Sequence, residues 1–294
     1  MNRRMDEFAI DKKMMRRAFN RAATGYDASA MLQHEVCMRM LERLEYIKLQ
    51  PERILDAGSG TGWGTRRLLQ RYPDAQMIEL DIARGMLEIA RDSSGWWQKL
   101  FGGTRQIQVC GDIEALPLAA NSIGMAWSNL ALQWCNDLPA VFAGLHHVLK
   151  ADGLLMFSTF GPDTLRELRR AFSGVDRHNH LNRFTDMHDI GDMLVHSGFA
   201  EPVMEMEYFT LTYDDVRGVL QDLKSIGAHN ATAGRGQGLM GKNTWLRLVE
   251  NYERLRSNGK LPATFEVVYG HAWKPQPRST RDGAAIIKTS FKLK

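Results

Sequence analysis

The stretch that decides the fold reads Arg53-Ile54-Leu55-Asp56-Ala57-Gly58-Ser59-Gly60-Thr61-Gly62. Its first half is a short apolar run, which is typical of a buried strand. Its glycines permit a tight turn and let the backbone approach a ligand closely. The next segment, residues 63–72, is predicted to be a helix. The stretch therefore predicts a strand, a glycine turn and a helix that begins at the turn.

Three classes of ligand use such a turn. A dinucleotide site needs G-x-G-x-x-G, but the sixth position is Trp63 when the pattern starts at Gly58 and Thr65 when it starts at Gly60. A nucleoside triphosphate site needs G-x-x-x-x-G-K-[ST], and this turn contains no lysine. What remains is an acid followed by three alternating glycines, the pattern of S-adenosylmethionine-dependent methyltransferases. Because this cofactor is cationic and has no phosphates, Asp56 would balance its charge, whereas it would repel a pyrophosphate.

Two further acids support this interpretation because each follows a predicted strand. Asp81 lies 25 residues after Asp56, the spacing at which a carboxylate binds ribose hydroxyls in βαβ nucleotide sites. Asp112 follows the third strand, where an acid contacts the adenine amino group in this class of methyltransferase. Ligands of open α/β sheets bind at the carboxyl ends of the strands. We therefore predict a cofactor-binding set that comprises Asp56, Gly58, Gly60, Gly62, Asp81, Asp112, Ile113 and Asn129.

Strand-like and helical segments alternate through the middle of the chain. Apolar runs predict five strands, at residues 53–57, 75–80, 106–110, 123–128 and 153–159. Strands that alternate with helices form a parallel sheet covered on both faces. Residues 201–211 and 264–273 read as two more strands at an antiparallel edge. We expect an α/β fold with a Rossmann-like, seven-stranded, mostly parallel sheet and helices on both faces.

The two ends of this pattern carry helical additions. Residues 1–50 are predicted to form an N-terminal helical arm that acts as a lid, with a break near residues 24–27. Residues 51–294 are predicted to form the methyltransferase domain. Within it, residues 212–258 or so read as a helical insertion over the active-site end of the sheet.

Composition restricts the remaining classes of function. The net charge of +4 and the pI of about 9.0 suit an acidic partner, but they are too modest to indicate nucleic-acid binding. Three widely spaced cysteines do not form a disulfide framework, and no metal-binding motif is present. No apolar run is long enough to span a membrane, and the first thirteen residues do not resemble a secretory signal. We expect a cytoplasmic protein without a metal.

A second glycine-rich segment, residues 236–243, nearly matches the nucleoside triphosphate pattern. Asn243 stands where that pattern needs serine or threonine, and no buried strand precedes the segment. Its basic residues Arg235 and Lys242 could meet a single phosphate. A solvated loop is the alternative.

Four segments besides the glycine turn resemble the malonyl-acyl-carrier-protein O-methyltransferases of bacterial biotin synthesis. They are AFNRAATGYD at residues 18–27, TFGPDTL at 159–165, NRFTDMHD at 182–189 and LKSIGAHN at 223–230. The resemblance spans residues 11–275 or so. The chain departs from the wider class after Asp81, where an Asp-x-Ser sequence is common and Ile82-Ala83 follows instead.

The resemblance implies a reaction and its participants. A methyl group would pass from S-adenosylmethionine to the free carboxylate of a malonyl thioester, which leaves S-adenosylhomocysteine. The thioester would be carried on the phosphopantetheine of an acyl carrier protein, with malonyl-coenzyme A as the other possible substrate. Methylation hides the carboxylate, so the chain can be elongated toward pimelate for biotin. A carboxylate with a pKa near ~4 is already ionised at pH 7 and needs no general base.

The resemblance also suggests residues for the acceptor. Tyr26 would close over the sulfonium and donate its hydroxyl to the carboxylate, and Arg183 would bind the carboxylate. Gln133 and Trp134 would wall the acceptor pocket, unless they are packing residues. Lys224, Arg235 and Lys242 would steer an acidic carrier protein, unless they are merely solvated.

Two alternatives remain open from the sequence. One is a methyltransferase for a quinone or phenol ring, which needs a general base such as His188, His229 or Glu114. The other is a non-catalytic S-adenosylmethionine-binding protein. The intact set of Asp56, Asp81 and Asp112 argues against a lost activity.

Overall fold

The computed structural model describes residues 8–93, 106–175, 181–225 and 241–277. The strands are β1 (Arg53–Ala57), β2 (Gln76–Asp81), β3 (Gln106–Cys110), β4 (Ile123–Ser128), β5 (Leu149–Phe160), β6 (Ala200–Tyr213) and β7 (Leu261–Trp273). They form one seven-stranded sheet in the order β3-β2-β1-β4-β5-β7-β6. The first five strands of that order pair in parallel, and β7 runs antiparallel to both of its neighbours. The predicted fold class is confirmed.

The helices that the structure describes fall before β1 and between the strands. They are α1 (Lys12–Ala22), α2 (Tyr26–Ser29), α3 (Met31–Leu44), α4 (Trp63–Arg71), α5 (Arg84–Ser93), α6 (Leu138–Val148), α7 (Arg166–Phe172), α8 (Met187–His196), α9 (Val216–Ser225) and α10 (Lys242–Glu253). Asp11, Asp137 and Asp186 cap α1, α6 and α8, since each carboxylate accepts a backbone N–H of the first turn. Every helix within the described ranges falls short of the length and apolarity that a bilayer-spanning segment needs.

Alternate residues of the central strand β1 face opposite sides of the sheet. Ile54 belongs to an apolar cluster that includes side chains of α3, α4, α7, α9 and α10. Leu55 belongs to a second cluster with α6 and α8. Both residues are fully buried, as expected for a strand covered on both faces. Because successive side chains of a strand point to opposite faces, this one apolar run contributes to both clusters.

The predicted boundary at residue 50 does not coincide with a boundary of the core. Helix α3 packs into the same cluster as Ile54 through Leu32, Val36, Met40 and Leu44. Residues 8–29 contribute no side chain to this cluster, and we refer to them as the arm. The apolar side chains of the arm pack instead in two small clusters, one with Trp134 and one with Ala83 and Met86.

The antiparallel strand β7 determines where the predicted insertion lies. Because β5 and β6 are both antiparallel to β7, β6 runs in the same direction as β5. The chain therefore leaves β6 and enters β7 at the edge of the sheet where the parallel strands have their carboxyl ends. Helices α9 and α10 lie in this connection, and they contact α2 and α7 respectively. The described part of the insertion is helical and lies at the predicted end of the sheet.

Candidate functional site

A cavity opens where β1, β2, β3 and β4 end. Residues that end or follow each strand line it, and they include Gly58, Asp81, Gly111 and Asn129. The arm covers one side with Lys12, Met15, Phe19 and Tyr26. Within the described residues, no group of three or more histidines, cysteines, aspartates or glutamates could hold a metal ion.

The three glycines of the turn all adopt positive φ, but each serves a different purpose. Gly60 (φ +54°) has open space where a side chain would lie, so its backbone is bare to the cavity. A Cβ on Gly58 would lie 2.3 Å from Cβ of Ala131, so this glycine allows the turn to pack closely against the segment after β4. Gly62 does not line the cavity. Its absent side chain makes room for Glu79 Oε1, which would lie 2.7 Å from a Cβ. The structure thus shows a packing role for Gly62, and its contact with the cofactor stays a prediction.

Asp81 occupies the position that the sequence predicts. It ends β2 and lines the cavity, and its two carboxylate oxygens accept backbone N–H groups from Gly60 (2.9 Å) and Ala83 (2.7 Å). Burial raises the pKa of this carboxyl group to about 6. The carboxylate is thus fixed in place and ionised at neutral pH. Its free lone pairs are acceptors for hydroxyl donors, which fits the ribose of S-adenosylmethionine.

Asp56 lies below the turn, and its contact with the cofactor stays a prediction. It is 3% exposed and does not line the cavity, and Thr65 Oγ1 donates to its Oδ2 at 2.7 Å. Burial raises its pKa to about 7, and the charges of Glu79 and Asp81 add to the rise. Asp56 therefore holds the first turn of α4 against the end of β1. Any effect on a bound cation acts through space.

Asp112 and Ile113 line the cavity at the end of β3, as predicted. The Asp112 carboxylate accepts the backbone N–H of Glu114 (3.1 Å) and is also bonded to Lys12 Nζ at 3.0 Å. Lys12 forms a second ion pair with Glu114. Burial opposes the charge of Lys12, but the bonds to Glu114 and Asp112 outweigh it, so its pKa is raised. The sequence analysis missed Lys12 because its partners lie about a hundred residues away in the chain.

Aromatic side chains join the arm to the far wall of the cavity. Phe19 meets Trp134 edge to face, with ring centroids 5.3 Å apart, and Met15 packs in the same cluster. Trp134 is 9% exposed, and it both packs in this cluster and lines the cavity.

Tyr26, which belongs to the arm, also lines the cavity. Burial raises its pKa well above the usual value, and the negative charges of Asp81 and Asp27 raise it further. The hydroxyl therefore keeps its proton throughout the neutral range and is a hydrogen-bond donor.

At the end of the cavity near β4 and β5, the side-chain amides of Asn129 and Gln133 donate hydrogen bonds to backbone carbonyls. Asn129 donates to the carbonyl of Gln33 (2.9 Å) and accepts from Ser158 Oγ (2.9 Å). Gln133 donates to the carbonyl of Leu130 at 2.6 Å. Gln33 and Phe160 also line this end, although no sequence signal singled them out. These contacts make a neutral, rigid wall without a general base.

The other predicted residues lie away from the cavity. Arg183 is exposed and does not line it, so its predicted contact with the acceptor is not formed in this structure. Lys224 is exposed in a separate groove, and Lys242 is exposed at the first turn of α10. Arg235 and His229 lie outside the described residues. His188 is exposed and bonded to Asp186 at 2.9 Å, outside the cavity.

Comparisons with known proteins agree with this geometry. Residues 55–157 match the model of the methyltransferase domain family. The chain is 77% identical to the malonyl-[acyl-carrier protein] O-methyltransferase of Gallionella capsiferriformans, with 99% of this chain and 100% of that protein covered. It is 61% identical to the protein of the same name from Nitrosospira multiformis, with 92% of each covered.

Solved structures support the fold. The YcgJ protein of Bacillus subtilis is similar with a TM-score of 0.58 at 16% identity, over 83% of this chain and 99% of that one. At this identity the likeness shows the fold alone. The sequence relatives show more, because their identity extends over nearly the whole length of both chains. The chain belongs to the malonyl-[acyl-carrier protein] O-methyltransferase family of class I S-adenosylmethionine-dependent methyltransferases.

Proposed function

We propose that the chain transfers a methyl group from S-adenosylmethionine to the free carboxylate of a malonyl group held as a thioester on an acyl carrier protein. The product is the malonyl methyl ester that primes pimelate synthesis for biotin. The observation that carries this proposal is the 77% identity, over 99% of the chain, to a protein named for that reaction. The cavity supports it because it combines a cation-compatible nucleotide site with a neutral acceptor wall.

The residues on the four strand ends fit this cofactor. Asp81 would accept the ribose hydroxyls, and Asp112 would accept the adenine amino group beside the apolar side chain of Ile113. The bare backbone at Gly60 leaves room for the methionine part. When bound, S-adenosylmethionine supplies a methyl group on a cationic sulfur. A carboxylate oxygen can attack this methyl group, and the sulfur leaves as part of S-adenosylhomocysteine.

The chain has to align the acceptor and to exclude water. A malonyl carboxylate is ionised at neutral pH, so no residue has to remove a proton. We assign its orientation to the protonated hydroxyl of Tyr26, with Gln133 and Phe160 on the facing side. A single neutral donor leaves the attacking oxygen free, whereas a bidentate arginine would weaken it as a nucleophile. Arg183 remains a candidate only for a state in which its segment moves to the cavity.

The ring-methyltransferase alternative needs a general base. Neither of the described candidates, Glu114 and His188, is placed to act as that base. Glu114 is paired with Lys12 and accepts the backbone N–H groups of Asn136 and Asp137 at 2.7 Å. His188 is exposed outside the cavity. The neutral wall suits an acceptor that arrives already ionised.

We also propose that the arm is the lid of the active site. Its contacts with the rest of the chain include the ion pairs of Lys12, two hydrogen bonds between Ile10 and Asn136, and apolar contacts with Trp134, Ala83 and Met86. Opening would break these contacts and leave the pairing of the strands unchanged.

The test is methyl transfer from labelled S-adenosylmethionine to malonyl-carrier protein, with acetyl-carrier protein and malonyl-coenzyme A assayed in parallel. We expect base-labile label on the malonyl substrates, none on the acetyl form, and the highest kcat/KM with the carrier protein. With saturating cofactor, the rate should be nearly flat from about pH 6.5 to 8.5, since no group in the mechanism titrates there. A protein that binds the cofactor but labels no malonyl thioester would contradict the proposal.

A further inference from the structure

A second hollow lies on the other side of the arm from the cofactor cavity. Met15 and Phe19 of α1 line the cavity, whereas Ala18, Arg21 and Ala22 of the same helix line this second hollow. The end of α1 and the segment from Thr24 to Ser29 form one wall, α9 forms the other, and α10 contributes Trp245. Its volume is about 1290 Å³. We refer to it as the groove.

The groove is lined by three cations, Arg21, Arg217 and Lys224. All three are exposed, and among the residues that the structure describes no acid forms an ion pair with them. Some exposed arginines elsewhere are paired. Arg84 and Arg254, for example, are each paired with a glutamate one helical turn away. The groove thus concentrates positive charge that the described part of the chain does not neutralise.

The acids nearest in sequence to these cations are Asp215 and Asp222, and both are engaged elsewhere. Asp215 accepts the backbone N–H of Gly218 at 2.7 Å. Asp222 lies on α9, but its carboxylate accepts the hydroxyl of Tyr213 at 2.6 Å and it lines a neighbouring hollow. Of the residues described, none that lines the groove is acidic. The groove is therefore suited to an anion.

The groove also borders the site of methyl transfer. Gly25 lines the groove and the next residue, Tyr26, lines the cavity. A side chain at Gly25 would meet nothing within 4 Å, so the space beside the backbone is open there. Leu220 and the half-buried Trp245 add apolar surface beside the cations. The cations, the apolar side chains and Tyr26 would together match a long, partly apolar ligand with an anion at the end farther from Tyr26.

From these surfaces we infer that the groove is the docking site for the acyl carrier protein. The phosphodiester at the base of its phosphopantetheine, together with the acidic surface around it, lies against Arg21, Arg217 and Lys224. The pantetheine chain passes Trp245 and Gly25 and presents the malonyl group at Tyr26. This inference rests on the proposed function, and it assigns the carrier-protein contact to the arm and α9. Of the cations that the sequence pattern suggested, only Lys224 is part of the groove as described.

The test compares a groove variant, R21Q/R217Q/K224Q, with a control variant of equal charge change, K13Q/R16Q/R17Q. The control residues are exposed on α1 and do not line the groove. We expect the groove variant to raise the KM for malonyl-carrier protein roughly 30- to 100-fold and to flatten its dependence on salt, because paired charges act mainly on encounter and docking. The control should raise the KM by less than about threefold, by general steering alone. Malonyl-pantetheine, which has no phosphate, should lose less than about twofold in kcat/KM with the groove variant.

Each outcome separates the groove from the proposed function. A groove variant whose KM for malonyl-carrier protein matches that of the control would overturn the inference while the function stands. An equal loss with malonyl-coenzyme A and with the carrier protein would overturn the assignment to a protein partner, since a phosphate contact alone would explain it. Failure of the wild-type enzyme to methylate malonyl-carrier protein would contradict the proposed function itself. The S-adenosylhomocysteine Kd and the thermal unfolding midpoint of each variant show that it is folded.

Discussion

Replacing Asp81 with asparagine tests how the protein holds its cofactor. The carboxylate is fixed by two backbone N–H groups, from Gly60 at 2.9 Å and Ala83 at 2.7 Å, and it presents its remaining lone pairs to the cavity. Asparagine keeps the shape but removes the charge and one acceptor. Charge-assisted hydrogen bonds contribute about 1.5–3 kcal/mol each, against about 0.5–1.5 for neutral ones. For two ribose hydroxyls the loss is about 2–3 kcal/mol, so the Kd should rise roughly 30- to 150-fold at ~1.4 kcal/mol per factor of ten.

Calorimetric titration with S-adenosylhomocysteine at pH 7.5 measures this change directly. Asp74→Asn is the matched control, because Asp74 is exposed and lies outside the cavity, and its Kd should stay within about twofold of wild type. The pKa of Asp81, about 6 in the free protein, adds a second readout. Below pH 6 the proton occupies the carboxylate, so wild-type affinity should fall about tenfold per pH unit while D81N stays flat. An unchanged Kd in a folded D81N would refute the reasoning.

Three further predictions follow from the same site. Gly62→Ala should destabilise the fold by about 2 kcal/mol or more in urea titrations, because left-handed φ and the contact with Glu79 both oppose a side chain, while Gly60→Ala should mainly weaken cofactor binding. Equal effects of the two on stability would count against this division. Asp56→Asn should raise the free energy of unfolding by about 1–3 kcal/mol at pH 8 and change it little at pH 4. The folded pKa of Asp56, about 7, lies above its unfolded value, so stability is lost as the pH rises through that window. Tyr26→Phe should lower kcat/KM for the malonyl thioester about 10- to 100-fold, the range for one hydrogen bond to a charged acceptor, with the S-adenosylhomocysteine Kd within about threefold of wild type. A larger change in that Kd than in kcat/KM would place the tyrosine with the cofactor.

Features that depend on neighbouring residues were predictable from the sequence. The β1 turn and Asp81 follow from local spacing and from the rule that ligands bind at strand ends. The position of Asp56 was predictable but the burial of its side chain was not, because the sequence pattern identifies an acid in a strand without fixing where its side chain points. Asp56 shares the strand face of Ile54, which leads beneath the turn toward Thr65.

Features that depend on distant residues were not predictable. Lys12 meets Asp112 across about a hundred positions, and no periodicity in a single sequence encodes such a pair. The boundary at residue 50 was misplaced for a related reason. The apolar stripe of α3 looks the same whether it packs in a lid or in the main core, and only the fold shows that it meets Ile54.

The connection between β6 and β7 can change without a change in the sheet. The two strands pair along nearly their whole length, from Ala200 opposite Trp273 to Tyr213 opposite Leu261, so their register does not depend on what connects them. The connection can therefore be lengthened, shortened or exchanged while the sheet and the nucleotide pocket stay as they are. Exchange of this one segment would change the α9 side of the groove and leave Tyr26, Gln133 and Phe160 in place. Chimeras that swap residues 214–260 between relatives would exchange partner preference and retain the same chemistry.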